Sequence, residues 1–173
     1  MINLQSTDFE LLNVPTQFAQ DLAQLDAARK ALLREVHPDR FVAEGPAMQR
    51  MAMQWAVRIN EAYQRLKDPL ERGAYLCELN GEPIQAESNT AMPPDFLMQQ
   101  MEWREALDEA TDAAALQALA RDVQQQRELA EAAITTAIDQ QQDHAAASTW
   151  VRKLMFIHKF AQEVRQHQLR LPG

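Results

Sequence analysis

Apolar residues recur along this chain at intervals of three and four, the period of a helix packed on one face. Leu22, Leu25, Ala28, Leu32 and Val36 form one such stripe. Asp21 is placed to cap that helix, Gln24 to complete a capping box, and Pro38 to stop it. A second stripe runs through Met48, Ala52, Trp55, Ile59, Ala62 and Leu66, and Pro46 sits in its first turn. The two stripes predict an antiparallel hairpin with the segment His37–Gly45 as an exposed loop at its tip. A short helix over Asp8–Val14, ended by Pro15, precedes the hairpin. Asp68-Pro69-Leu70-Glu71 opens a further helix that stops at Gly81, with Leu70, Ala74 and Cys77 as its inward face.

From Glu82 to about Pro93 the pattern turns polar and irregular, which predicts a linker. Three helices are expected beyond it: from Pro93-Pro94-Asp95 to Glu109, from Asp112 to Gln142, and from Ala146 to Gln166. Trp150, Leu154, Ile157, Ala161 and Val164 would form the core seam of the last. Short connections predict an antiparallel three-helix bundle. The expected fold is therefore all-α, with an N-terminal domain over 1–81, a linker over 82–93 and a C-terminal bundle over 94–173.

One helix carries more apolar surface than a bundle core needs. At about 100° per residue, Phe96, Trp103, Leu107 and Ala110 share one side of the segment 95–109. Leu97, Met98 and Met101 fall on another side, beside Glu102, Arg104 and Glu105. Phe156 likewise lies off the seam of the last helix. Left exposed, a Met/Leu/Phe patch with an acidic rim would suit a protein partner; the alternative is that both faces are buried, one against the bundle and one against the N-terminal domain.

Composition narrows the function. The 173 residues carry a formal net charge of −8, with 9 basic and 11 acidic side chains before residue 81 and 8 and 14 after it. A nucleic-acid binder usually shows a basic excess, so the balance argues against that class. Cys77 is the single cysteine, so no intrachain disulfide and no cysteine-based zinc or cluster site is available, and no cofactor is expected. The first fifteen residues hold Asp8 and Glu10 but no Lys or Arg, unlike a signal or transit peptide, and no apolar run reaches membrane-spanning length. A soluble, cytoplasmic, bacterial protein is expected. His144, His158 and His167 stand far from His37, and neither a catalytic triad pattern, a His-Glu-x-x-His motif nor a Gly-rich phosphate loop is present, which argues against an enzyme.

The tripeptide His37-Pro38-Asp39 lies at the expected hairpin tip, flanked by Arg29, Lys30, Arg34 and Arg40. The following helix ends in Asn60-Glu61-Ala62-Tyr63-Gln64-Arg65-Leu66-Lys67-Asp68-Pro69. This arrangement resembles a J domain, although Val36 stands where many J domains have Tyr and Arg40 where many have Lys. The resemblance implies that these seven residues engage the ATPase of a DnaK-class chaperone and stimulate ATP hydrolysis. A proline-stiffened loop lowers the ordering cost of docking, a carboxylate can meet a partner's arginine, and a basic face steers towards an acidic surface.

Three further segments, Leu70-Glu71-Arg72-Gly73-Ala74-Tyr75-Leu76, the helix from Phe96 to Glu109, and Val151-Arg152-Lys153-Leu154-Met155-Phe156, are similar to the HscB-type co-chaperones of iron–sulfur cluster assembly. That resemblance spans nearly the whole chain. It implies a non-enzymatic adaptor that delivers the scaffold protein IscU to an HscA/DnaK-class chaperone. It also implies that Leu97, Met98, Met101, Glu102, Glu105 and Phe156 bind the scaffold, with Arg104 a lesser candidate.

Overall fold

A computed structural model describes residues 2–84 and 92–171. Among these residues the chain is helical, and it divides into two compact units, Met1–Leu76 and Cys77–Gly173. Residues 85–91 of the expected linker lie outside the described residues.

The N-terminal unit contains α1 (Asp8–Leu11), α2 (Leu22–Glu35), a 3₁₀ segment (Pro38–Glu44), α3 (Pro46–Lys67) and the start of α4 (Pro69–Leu79). Cap chemistry explains the ends. Thr7 accepts from the Glu10 amide, and the Asp21 carboxylate accepts from the amides of Ala23 and Gln24. Asp68 accepts from the Leu70 amide at 2.9 Å. Gly81, at φ 79°, takes the left-handed conformation just past α4. Helix α1 is shorter than predicted because Leu12 already leaves helical angles and Asn13 turns to φ 52°.

The hairpin of α2 and α3 buries Leu25, Ala52, Ile59, Ala62 and Leu66. The other expected stripe residues are less covered: Ala28, Leu32, Val36 and Trp55 are half-buried, Leu22 is 54% exposed in the first turn of α2, and Met48 is exposed near the tip. On α4 the buried face is also rotated from the expected one. Leu70 and Ala74 are half-buried, whereas Arg72, Gly73, Leu76 and Cys77 are buried. Arg72 is held on that buried face by its own contacts: its guanidinium donates to the Leu66 carbonyl at 2.6 Å and lies over the Phe18 ring at 4.7 Å.

The C-terminal unit holds α5 (Pro94–Glu109), α6 (Ala113–Thr135), a wide i→i+5 turn (Thr136–Gln140) and α7 (His144–Arg170). Asp112 caps α6 and Asp143 caps α7, so α7 starts two residues before the predicted Ala146. Its buried face runs through Ala147, Val151, Leu154, Ile157, Phe160 and Val164, while Trp150 and Ala161 are half-buried. The predicted seam was too narrow because α7 packs against α6 on one side and places Phe160 on Trp103 of α5 on the other.

Cys77 is fully buried, with its Sγ 3.9 Å from the His144 carbonyl. Burial pushes the thiol up to about 11; Glu82 adds to the shift and Arg152 opposes it. The native protein should therefore resist a disulfide-exchange reagent at about pH 8 and react only as it unfolds. Stoichiometric labelling at the rate of a free thiol would contradict this burial.

Candidate functional site

Two exposed surfaces come from different parts of the chain. The first is the hairpin tip. The expected loop is instead a 3₁₀ segment, and His37 is its cap: the Nδ1 atom accepts from the Asp39 amide at 3.2 Å. Pro38 occupies the first helical position, where its missing N–H costs nothing. The Asp39 carboxylate stands 3.7 Å from the His37 ring, and the two side chains are 87% and 59% exposed. Gly45, at φ 97°, reverses the chain into α3.

The flanking basic residues are not equivalent. Arg29 is bound to Asp26 at 2.7 Å and lies over the Tyr63 ring at 4.5 Å. Lys30 pairs with the other oxygen of Asp26 at 2.8 Å, and this pairing with Lys30 and Arg29 holds the Asp26 carboxyl below its usual range. Arg40 donates to the Arg34 carbonyl at 3.2 Å, which closes the end of α2 over the tip, and the Arg34 side chain is exposed.

The second surface is on α5. Phe96, Trp103 and Leu107 are buried, as the helical spacing requires, and Ala110 is half-buried. Leu97, Met98 and Met101 are 44%, 62% and 71% exposed, and Glu102 and Glu105 are exposed beside them. Phe156 of α7 is half-buried at the rim of a ring cluster, 5.7 Å from Phe96, 6.0 Å from Phe160 and 6.4 Å from Trp103. Trp103 in turn donates through Nε1 to Asp122 of α6 at 2.8 Å. An open groove of about 630 Å³ brings together Met101, Arg104, Glu105, Asp108, Glu109 and Phe156. Glu102 lines a different groove, between α5 and α6.

Spacing along the chain did not single out Asp108 and Glu109, one turn beyond Glu105, nor Glu163 of α7, which pairs with Arg104. The first two were legible as a continuation of the acidic rim. The Arg104–Glu163 pair was not, because nothing local links positions 59 residues apart.

Among the described residues no group of three or more His, Cys, Asp or Glu side chains could hold a metal, and no helix is long and apolar enough to cross a membrane.

Residues 92–165 match the family model described as the HSCB C-terminal oligomerisation domain. A co-chaperone protein HscB homolog of Burkholderia multivorans is 50% identical over 167 residues, which cover 95% of each chain. The chain belongs to the HscB co-chaperone family. HscB structures repeat the fold: chaperone HscB from Vibrio cholerae superposes with a TM-score of 0.82 at 36% identity, covering 96% of this chain and 100% of that one. The human co-chaperone protein HscB does so with a TM-score of 0.90 at 26% identity, covering 98% and 86%. In this HscB-family chain the hairpin with its flanking helices is the J domain, and α5, α6 and α7 form the C-terminal antiparallel three-helix bundle.

Proposed function

We propose that this co-chaperone binds an IscU-type iron–sulfur scaffold through its C-terminal bundle and delivers it to an HscA/DnaK-class chaperone in the bacterial cytoplasm, stimulating that chaperone's ATPase through the J domain. In this reading residues 1–81 act as the J domain, 82–93 as the connection and 94–173 as the client-binding bundle. The observation that carries it is the pair of separate exposed surfaces on one chain: His37 and Asp39 at the hairpin tip, and Leu97, Met98 and Met101 on α5. Tethering the client beside the ATPase raises its effective concentration at the chaperone's peptide site. Hydrolysis then traps it.

At the tip, the exposed Asp39 carboxylate and the Arg34 and Arg40 cations are the groups available to the chaperone. Arg29 and Lys30, already paired with Asp26, support the helix surface more than they reach outward. At the bundle, Leu97, Met98, Met101 and Phe156 supply apolar area, and Glu102 and Glu105 supply an acidic edge.

The double variant Leu97→Ala, Phe156→Ala tests the client surface. Full burial of a Leu or Phe side chain is worth about 1.5–3 kcal/mol, so titration calorimetry against the scaffold should show at least about a tenfold loss of affinity. Phe156→Ala also removes ring contacts with Phe96, Trp103 and Phe160. Leu97→Ala alone therefore serves as the variant that leaves the bundle unperturbed. Unchanged affinity in both variants would reject the surface.

A further inference from the structure

We propose that the Arg104–Glu163 ion pair is a positioning device for the client groove: it holds α5 against α7 at the separation where Met101 and Phe156 can grip one ligand. This rests on the reading of that groove as the scaffold site.

The two apolar ends of the groove belong to different helices, Met101 to α5 and Phe156 to α7. A ligand can use both only if the helices keep a fixed spacing. The edge-on contact of Phe96 with Phe156, at 87°, ties only the first turn of α5 to α7, and the remaining ring contacts fix the spacing less well. Trp103, Phe156 and Phe160 lie with their planes within 12–16° of one another. Near-parallel rings tolerate lateral offset, because stacked pairs prefer to be offset in any case. Trp103–Asp122 is directional, but it ties α5 to α6. Arg104 supplies a directional tie to α7, since both terminal guanidinium nitrogens face the Glu163 carboxylate. A planar guanidinium facing a carboxylate restricts orientation as well as distance. The same guanidinium lies over the Phe160 ring at 5.3 Å, one turn along α7 from Phe156. Each partner favours the charged form of the other: Glu163 is held below the usual carboxylate range and Arg104 is raised, in both cases chiefly by their shared hydrogen bond.

The pairing also sets the charge of the groove. Glu105, Asp108 and Glu109 share its wall with Arg104. An unpaired Arg104 would offset one of those acids. Committed to Glu163, it leaves the wall acidic over an apolar floor, a surface that fits an apolar segment flanked by Lys or Arg.

Exposed ion pairs contribute little to stability, so a merely structural role predicts small effects everywhere. A positioning role predicts normal folding and weakened binding. The test measures scaffold affinity by calorimetry and the unfolding midpoint by circular dichroism for Arg104→Glu, Glu163→Gln and the exchange Arg104→Glu with Glu163→Arg. Each single variant should bind the scaffold about three- to tenfold more weakly, with an unfolding midpoint close to that of the unaltered protein. The exchange, which rebuilds the pair with its polarity reversed, should restore affinity to within about twofold. If the exchange binds as weakly as Arg104→Glu alone, Arg104 touches the scaffold directly and the proposal fails. If the near-isosteric Glu163→Gln binds normally while Met101→Ala, which truncates an exposed residue of the groove, does not, the groove is the client site but the pair positions nothing. If Met101→Ala also binds normally, the reading of the groove itself is wrong.

Discussion

Asp39→Ala should abolish stimulation of the partner ATPase and leave scaffold affinity unchanged. The Asp39 side chain is 87% exposed and serves no folding role beyond its approach to His37. What caps the 3₁₀ segment is the His37 ring accepting from the Asp39 amide, and alanine retains that amide. The substitution therefore removes a carboxylate without removing the turn that presents it. A hydrogen bond to a charged group contributes about 1.5–3 kcal/mol, which corresponds to roughly a 10- to 150-fold change in affinity. At protein concentrations near the wild-type midpoint, such a loss returns ATP turnover to its basal level. Steady-state turnover of an HscA-class chaperone titrated with each protein reads this effect directly, and calorimetry with the scaffold reads the other surface. Undiminished stimulation by the variant would remove Asp39 from the mechanism. Loss of both activities would show that the two surfaces are not separable.

The largest stability effect is expected at Asp8. Its carboxylate is fully buried, 2.8 Å from Arg58 Nη1 and 3.3 Å from Arg65 Nε. Arg58 also donates to the carbonyls of Leu4 and Ser6, at 3.1 and 2.7 Å. The Asp8 amide donates to the Tyr75 hydroxyl at 3.1 Å, and Arg65 lies over the Tyr75 ring at 4.5 Å. Asp8 thus joins α1 to two turns of α3 through its carboxylate and to α4 through its amide. Asp8→Asn keeps the shape but leaves two guanidinium groups without their counter-charge, and Arg58 is only 17% exposed. Breaking a buried pair by removing one partner costs about 3–5 kcal/mol. Total stability for a domain is about 5–15 kcal/mol, so the J domain of this variant should unfold well before that of the wild type. Urea unfolding followed by circular dichroism measures the loss. A change below about 1 kcal/mol would mean that the buried charge is not what holds these helices together.

Asp8 also shows where the sequence stops being legible. In the first turn of a helix it reads as an ordinary helix-dipole acid. Its partners lie 50 and 57 residues away on α3, and no spacing rule connects them. Arg29 is a related case: its place on the basic face of α2 is plain from the spacing, but its commitment to Asp26 and Tyr63 is not. Phe160 and Val151 fall outside the single stripe that the spacing predicts for α7, because that helix packs against two others. By contrast, the caps at Asp21, Asp68 and Asp112 and the two apolar sides of α5 follow from neighbouring residues alone.

The helix starts capped at Asp21, Asp68 and Asp112, the hairpin with its tripeptide at the tip, and the division of α5 into two apolar faces were determined by the sequence itself. Each depends on cap chemistry or the 3.6-residue period, and both act over a few residues. Tertiary structure alone decided which face of α5 stays exposed, that the tip is a 3₁₀ turn capped by His37, and which charges pair across helices. Those outcomes depend on which element arrives opposite each side chain, and that is a property of the packed chain rather than of any local stretch of it.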